Sequence, residues 1–450
     1  MKRLVCLMLM LLSISYLQAQ DLFIEGGWLF TATEDTVKRN PGIWIKSGKI
    51  FTIGHEPETE IRRIVLSDED YILPGIIDLH AHYRVTFDGI RKDETEVNPV
   101  VYLANGVTAT FTAGEIEPEK MMNLRKQINR GKKIGPRLLN SGPYFGSALP
   151  TWDKLTTPRD IRVIVDKWAE LGVSGFKAKG IRPELLQALI ERAHQHGLTV
   201  TAHLGSGYEN TVNPQEAILM GIDRVEHFLG GELLPPTQSA YESLQDIDPY
   251  DPKLYDVMSL FIKHKVYFDA TVTAYGYYGD RTIGYEYWTD EKKYLTPYAR
   301  SITKDIRQEY PAFDKIFKIK RVTIKRFYDA GGLITLGTDH PSVGEYLPGF
   351  SAHREMYILS ASGIPNADVI KIATINGANA LRVGDKIGSI EVGKFGDMFI
   401  TKGNPLLDIR NSRNVHTVIK GGVVYDTQEI LKSVECKMGP YHKGDWNDGR

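Results

Sequence analysis

"LPGIIDLHAHYRV", residues 73–85, is the stretch on which the reading of the whole chain turns. An apolar run leads straight into His80 and His82, separated by one alanine and followed by Tyr83 and Arg84. Positions i and i+2 of an extended strand leave the backbone on the same side, so the two imidazoles face together. Two such rings can share one ion, or they can simply end a strand. What the rest of the chain brings to the same place decides between these.

Working outward, the stretch is the first of eight similar ones: "GIIDLHAH", "VTATFTAG", "RLLNSGPYF", "GVSGFKAKG", "LTVTAHLGSG", "RVEHFLGG", "VYFDATVTAY" and "LITLGTDHP". Between them lie segments such as "TPRDIRVIVDKWAELG" and "PELLQALIERAHQHG". These carry apolar residues at i, i+3, i+4 and i+7, proline near the start and glycine just past the end, which is the grammar of amphipathic helices. Eight alternations of strand and helix predict an α/β protein, a (β/α)8 TIM barrel over residues 75–385. The flanks read differently. "LFIEGGWLF", "GIWIKSGKIFTIG" and "IRRIVLSDEDYILPG" before it, and "GSIEVGKFGDMFITKG" and "VHTVIKGGVVYDT" after it, are short strands punctuated by turns. Residues 20–74 and 386–450 are expected to pair into one small β-sandwich, since chain ends often meet.

Barrel chemistry sits at the C-terminal ends of the strands. There the sequence places His80 and His82 on strand one, Lys177 and Lys179 on strand four, His203 on strand five, His227 on strand six and Asp339 on strand eight. Burying so many polar groups without partners would be costly, so the set reads jointly as a metal site. His194 and His196 share the His-x-His spacing but fall at a helix end, where i and i+2 diverge by about 200°. They read as surface residues near a helix terminus. His340 should point away from the axis, and His55, His264 and His416 stand in loop or helix-end contexts without an evident partner.

The 450 residues carry a formal net charge of −1, with 25% charged and 42% hydrophobic residues. Such a balance excludes a field that would attract nucleic acid and favours a small-molecule or peptide partner. "MKRLVCLMLMLLSISYLQAQ" joins Lys2 and Arg3 to an apolar run and Leu17-Gln18-Ala19, the pattern of a signal peptide over residues 1–19, with a retained membrane anchor as the alternative. The mature chain is then expected to be secreted or periplasmic. No later run approaches the roughly 20 apolar residues that span a bilayer. Of the two cysteines, Cys6 lies in that leader and Cys436 is left alone, so no internal disulfide is expected.

The order of "LPGIIDLHAH", "GVSGFKAKG", "VTAHLGSG", "RVEHF", "LGTDHP" and "ATINGANALRVGDKIGSIEVGKFGDMFI" resembles the amidohydrolase superfamily, in the branch that includes imidazolonepropionase-like and Xaa-Pro dipeptidase-like enzymes. The resemblance covers essentially the whole mature chain. It implies two divalent metal ions: a more buried one on His80, His82 and Asp339, a more exposed one on His203 and His227, and a carboxylated lysine bridging them. Lys177 and Lys179 share a face, so spacing alone leaves both open; the family pattern favours Lys177 as the N6-carboxylysine. Zinc is the default ion for such ligands, with manganese, cobalt or iron as alternatives. A metal-bridging hydroxide would attack an amide-type C–N bond, with Asp339 moving its proton to the leaving nitrogen.

Specificity in this fold belongs to the loops after the strands. Arg84 is a candidate receiver for a substrate carboxylate, as is Arg281, although Arg84 could equally pair with a loop acid. Tyr144 stands where dipeptidase-like relatives often carry a histidine and is a candidate donor to the oxyanion; Tyr208 is a second substrate-facing candidate. The Tyr-rich loop 275–298 reads as a cover, a self-packed surface loop or an oligomer contact, which leaves a homo-oligomer open. A dipeptide or N-acyl amino acid is the leading substrate class. A mononuclear deaminase or cyclic-amide hydrolase of the same fold, and a non-catalytic binding protein on a retained barrel, are the competing readings.

Overall fold

The computed structural model describes residues 21–87, 90–204, 212–227, 229, 233, 244–278, 290–302, 311–340 and 347–445. The expected signal segment, Tyr208, Arg281 and residues 279–289 of the Tyr-rich loop lie outside these residues.

The chain opens with β1 (Leu22–Phe30), β2 (Val37–Arg39), β3 (Ile43–Lys46), β4 (Lys49–Ile53) and β5 (Arg62–Pro74). It then enters β6 (Ile76–Asp78), the strand that carries the histidine pair at its end, and a hairpin, β7 (Arg84–Phe87) with β8 (Ile90–Asp93). Every remaining strand expected for the barrel is present: β9 (Val107–Phe111), β10 (Arg137–Leu139) with β11 (Tyr144–Phe145), β12 (Gly175–Lys179), β13 (Thr199–His203), β14 (Arg224–Glu226), β15 (Tyr267–Asp269) and β16 (Ile334–Thr335). Neighbours pair in parallel, in the orders β10-β9-β6 and β11-β12-β13-β14-β15-β16. Residues of β9, β13 and β14 are buried throughout, as strands covered on both faces must be.

The expected third strand is broken. β10 pairs with β9 and β11 with β12, and between them Gly142 takes a positive φ of 65° that swings the chain from one sheet to the other. Backbone contacts bridge the sheets on both sides: the Leu79 N–H donates to the Leu336 carbonyl at 2.9 Å, Ala81 bridges His340 in parallel, and Glu115 bridges Pro143. Strand seven is also shorter than expected. It ends at Asp269, and a helix, Val272–Tyr278, takes up the next residues, with the Tyr275 ring buried against Phe313.

Helix Pro158–Glu170 shows why the sequence signals worked. Thr157 and Asp160 form a reciprocal capping box, Pro158 supplies the first residue, Ile161, Val165 and Trp168 face inward, and Gly172 closes the turn at φ 80°. In helix Pro183–Gln195 and its cap, His194 and His196 diverge as expected: His194 reaches Asp223 at 2.9 Å and His196 reaches Asp166 at 2.6 Å.

The terminal segments meet. β17 (Met398–Lys402) runs antiparallel to β5, and β18 (Val415–Lys420) and β19 (Val423–Asp426) continue outward, giving the order β19-β18-β17-β5-β1-β3-β4 with β2 on β1. The strands form one connected hydrogen-bonded sheet, its apolar side chains including Ile24, Ile45, Ile72, Met398 and Ile419. His416, expected to lack a partner, reaches Asp70 at 3.0 Å. After β19 the chain leaves the sheet. Ile430, Val434 and Met438 pack with Val85, Val97 and Val101, and the Gly439 N–H donates to buried Glu94 at 2.7 Å. Among the described residues no helix is long and apolar enough to cross a membrane.

Candidate metal centre

At the ends of the parallel strands the sequence-predicted residues converge. His82 Nε2 lies 2.9 Å from Asp339 Oδ1 and His80 Nε2 lies 3.3 Å from the same oxygen. His227 Nε2 is 4.0 Å from Asp339 Oδ2, and ring centroids separate His80 from His227 by 4.9 Å and His227 from His203 by 4.5 Å. Ligand atoms of His80, His82 and Asp339 all fall within 4.8 Å of one another, a spacing that one ion can bridge. Lys177 is buried on the same face, whereas Lys179, two residues on, is half-buried; both line the cavity.

Local backbone explains the aim of these groups. His227 and Asp339 adopt φ values of 68° and 57°, a left-handed turn that few side chains take and that costs about 1–3 kcal/mol unless the surroundings enforce it. Asp78 braces the residue before Asp339 from beneath the site. Its Oδ1 accepts from the His80 and Thr338 N–H groups at 3.0 and 3.1 Å and its Oδ2 from the Thr338 hydroxyl at 2.7 Å, tying strand one to strand eight. The Thr271 hydroxyl donates to the Ala270 carbonyl and lies 2.6 Å from His227 Nδ1, so it accepts from that nitrogen and leaves Nε2 as a lone pair facing Asp339.

Electrostatics favour metal ligation. Burial pushes His80, His203 and His227 well below the ordinary imidazole range, so each is neutral at neutral pH, as a ligand must be. Burial alone would raise Asp339, yet its contact with His80 and its hydrogen bond with His82 hold its carboxyl well below the usual range. Lys177 is likewise depressed by burial, which favours its uncharged form.

The sequence missed three acids here. Glu226 puts Oε2 at 3.5 Å from His80 Nδ1, 3.8 Å from His227 Nε2 and in direct contact with Lys177 Nζ. It precedes His227, so strand alternation sends it to the opposite face; the left-handed turn at His227 brings both together. Asp269, wholly buried, lies 3.9 Å from His80 Nδ1. A side chain at Gly337 would meet its carboxylate at 2.2 Å, so that glycine makes room for it. Asp78 could have been read from the same alternation as His80 and His82.

Over these residues opens a cavity of about 230 Å³, walled by Arg84, Asp93, Thr112, Glu115, Glu117, Lys120, Tyr144 and Lys179. Tyr144 lies on β11 with its ring across Gly114, where an added Cβ would stand 2.2 Å from it. Arg84 pairs with Glu117 at 2.8 Å, the loop acid that was one of its two expected partners. Tyr83 also lines the cavity; it is largely buried, with its hydroxyl 2.8 Å from that of Thr110.

Glu115 is buried and accepts from Thr112 and Asn140 at 2.6 and 2.7 Å; burial raises it from its ordinary 4.5 to about 8. A carboxyl raised on folding stabilises the fold at low pH and loses that contribution as pH climbs from about 4.5 to about 8. Glu115→Gln keeps the acceptor and removes the titration. Its melting temperature is expected to fall less than that of the wild type between pH 5 and pH 8; equal slopes would show that Glu115 stays ionised.

Comparison with known proteins follows from this geometry. Residues 71–425 match the model of the amidohydrolase family. Over 229 residues, 49% of this chain, the sequence is 23% identical to dihydropyrimidinase of Dictyostelium discoideum, and the matched stretch spans 43% of that relative's length. A solved Xaa-Pro dipeptidase with bound methionine superposes with a TM-score of 0.68 at 22% identity, covering 90% of this chain and 100% of that one. A molinate hydrolase superposes with a TM-score of 0.67 at 19% identity, covering 95% and 99%. These likenesses place the chain in a TIM-barrel fold of α/β content.

Proposed function

The chain belongs to the amidohydrolase family, metal-dependent hydrolases acting on carbon–nitrogen bonds, and on that premise we propose that it cleaves the amide bond of a dipeptide or N-acyl amino acid. The observation that carries this reading is the convergence of His80, His82, His203, Asp339 and buried Lys177 on one cavity, with the His227 ring packed behind them at 4.9 Å from His80 and 4.5 Å from His203. In it, the parallel strands make one closed eight-stranded barrel over residues 75–385, and residues 20–74 with 386–450 make the small β-sandwich. Residues 1–19 act as a cleaved signal, which supports a secreted or periplasmic enzyme.

The donor set fits two divalent ions: His80, His82 and Asp339 would hold one, His203 and His227 the other, and Lys177 as a carbamate would join them. When bound, the ions supply Lewis acidity, making water a competent nucleophile near neutral pH and polarising the substrate carbonyl. Asp339, ionised and aimed at the same point as the histidines, takes a proton from the attacking water and returns it to the leaving nitrogen. Tyr144, at the cavity wall, donates to the carbonyl oxygen as negative charge grows there. Arg84 and Tyr208 are assigned to the substrate's carboxylate end, with Glu117 holding the Arg84 guanidinium in place until it is met. Supporting the dipeptide class are the cavity's size and its mixture of cationic and acidic walls.

One contact favours a second reading. Lys177 Nζ touches Glu226, and a lysine committed to that carboxylate would not bridge two ions, which is the arrangement of a mononuclear deaminase or cyclic-amide hydrolase. Dipeptides, N-acyl amino acids and cyclic amides assayed side by side separate the two. Dialysis against a chelator is expected to lower turnover by about 10²-fold or more, with zinc restoring it. Full activity after metal removal would overturn both readings.

A further inference from the structure

Resting on the metal reading above, we infer that Glu226 is a positioning residue: it accepts the Nδ1–H of His80 and so fixes the tautomer in which Nε2 is offered to the ion. The two nitrogens of His80 face different groups. Nε2 lies 3.3 Å from Asp339 Oδ1, beside His82; Nδ1 lies 3.5 Å from Glu226 Oε2, with the next carboxylate oxygen, on Asp269, at 3.9 Å. His80 and Glu226 are both buried, at 2% and 0% exposure, so solvent cannot take the place of either partner.

A neutral imidazole has one lone pair and one N–H. His80 therefore cannot serve both candidate metal groups at once, the one with His82 and Asp339 and the one with Glu226 and His227. Ligation through Nε2 leaves Nδ1–H as a donor, and the nearest acceptor is Glu226. Glu226 is itself held: its Oε1 accepts from the Thr201 hydroxyl at 3.0 Å on the neighbouring strand. The role is compatible with a modified lysine. When the Lys177 amine adds to carbon dioxide, one N–H is lost as a proton and one remains on the carbamate nitrogen, so Glu226 Oε2 still has a donor there. One carboxylate would thus orient a histidine ligand and the bridging lysine together.

The test is Co²⁺ binding to the full-length protein, read by its visible absorption and by competition with a chelator, in the wild type, Glu226→Ala and Glu226→Gln. Loss of such an outer acceptor typically weakens metal binding 10–100-fold. Glu226→Ala is expected to show that loss with an altered Co²⁺ spectrum, while Glu226→Gln, whose amide oxygen still accepts from Nδ1–H, recovers most of the affinity. Equal affinity and spectrum in Glu226→Ala overturn the inference. So does a Glu226→Gln as weak as Glu226→Ala, since Glu226 would then be a ligand and not an orienter. A wild type that binds no Co²⁺ defeats the metal reading itself, a separate outcome. Should Glu226→Ala not fold, Glu226→Met, of matching length and without an acceptor, takes its place with the same expectations.

Discussion

Asp339→Asn is expected to lower kcat by on the order of 10²–10⁴-fold while most of the metal stays bound. The amide keeps one oxygen where Oδ1 now meets His82 at 2.9 Å and His80 at 3.3 Å, so coordination survives in outline. What disappears is a base. Asp339 is held ionised against burial by its contacts with His80 and His82, and at that point no other described carboxylate combines proximity to the histidines with a place in the cavity wall. The assay is steady-state turnover beside metal content on the same preparation. Turnover within about tenfold of the wild type would place the proton transfer on another group.

Lys177→Ala is expected to fall by on the order of 10³-fold or more and to lose one ion per chain, because removing a bridging charge forfeits several kcal/mol of stabilisation at about 1.4 kcal/mol per tenfold. Lys179→Ala is expected to keep both ions. The two lysines share a face, and burial separates them: Lys177 is 1% exposed and depressed by that burial, which favours the unprotonated amine that carbon dioxide needs. Mass analysis of the native protein should accordingly carry the added mass of one carbamate, lost on acidification. If Lys179→Ala is the variant that loses metal, the assignment is reversed.

The alternation of strands and helices was legible because each helix carries its own stop signals and each strand its apolar run. Where expectation and structure part, a backbone event intervenes that side-chain patterning does not encode. Gly142 breaks strand three into two short pieces, and strand seven stops at Asp269 because the following residues coil into a helix. The site follows the same logic. His80 and His82 were readable by period two, and their partners by position at strand ends. Glu226 was not, since period two sends it away from His227, and only the left-handed turn at His227 returns it. Asp269 was hidden because strand seven offered no histidine to draw attention to it. Arg84 shows the limit from the other side: two partners were open on sequence grounds, and the fold supplies Glu117.

The central claim is a binuclear centre joined by a modified lysine. Anomalous diffraction from crystals of the zinc-loaded protein tests it most directly: the account predicts two zinc peaks, one among His80, His82 and Asp339 and one at His203 and His227, with density continuing past Lys177 Nζ between them. A single peak beside a bare Lys177 amine still in contact with Glu226 would contradict it.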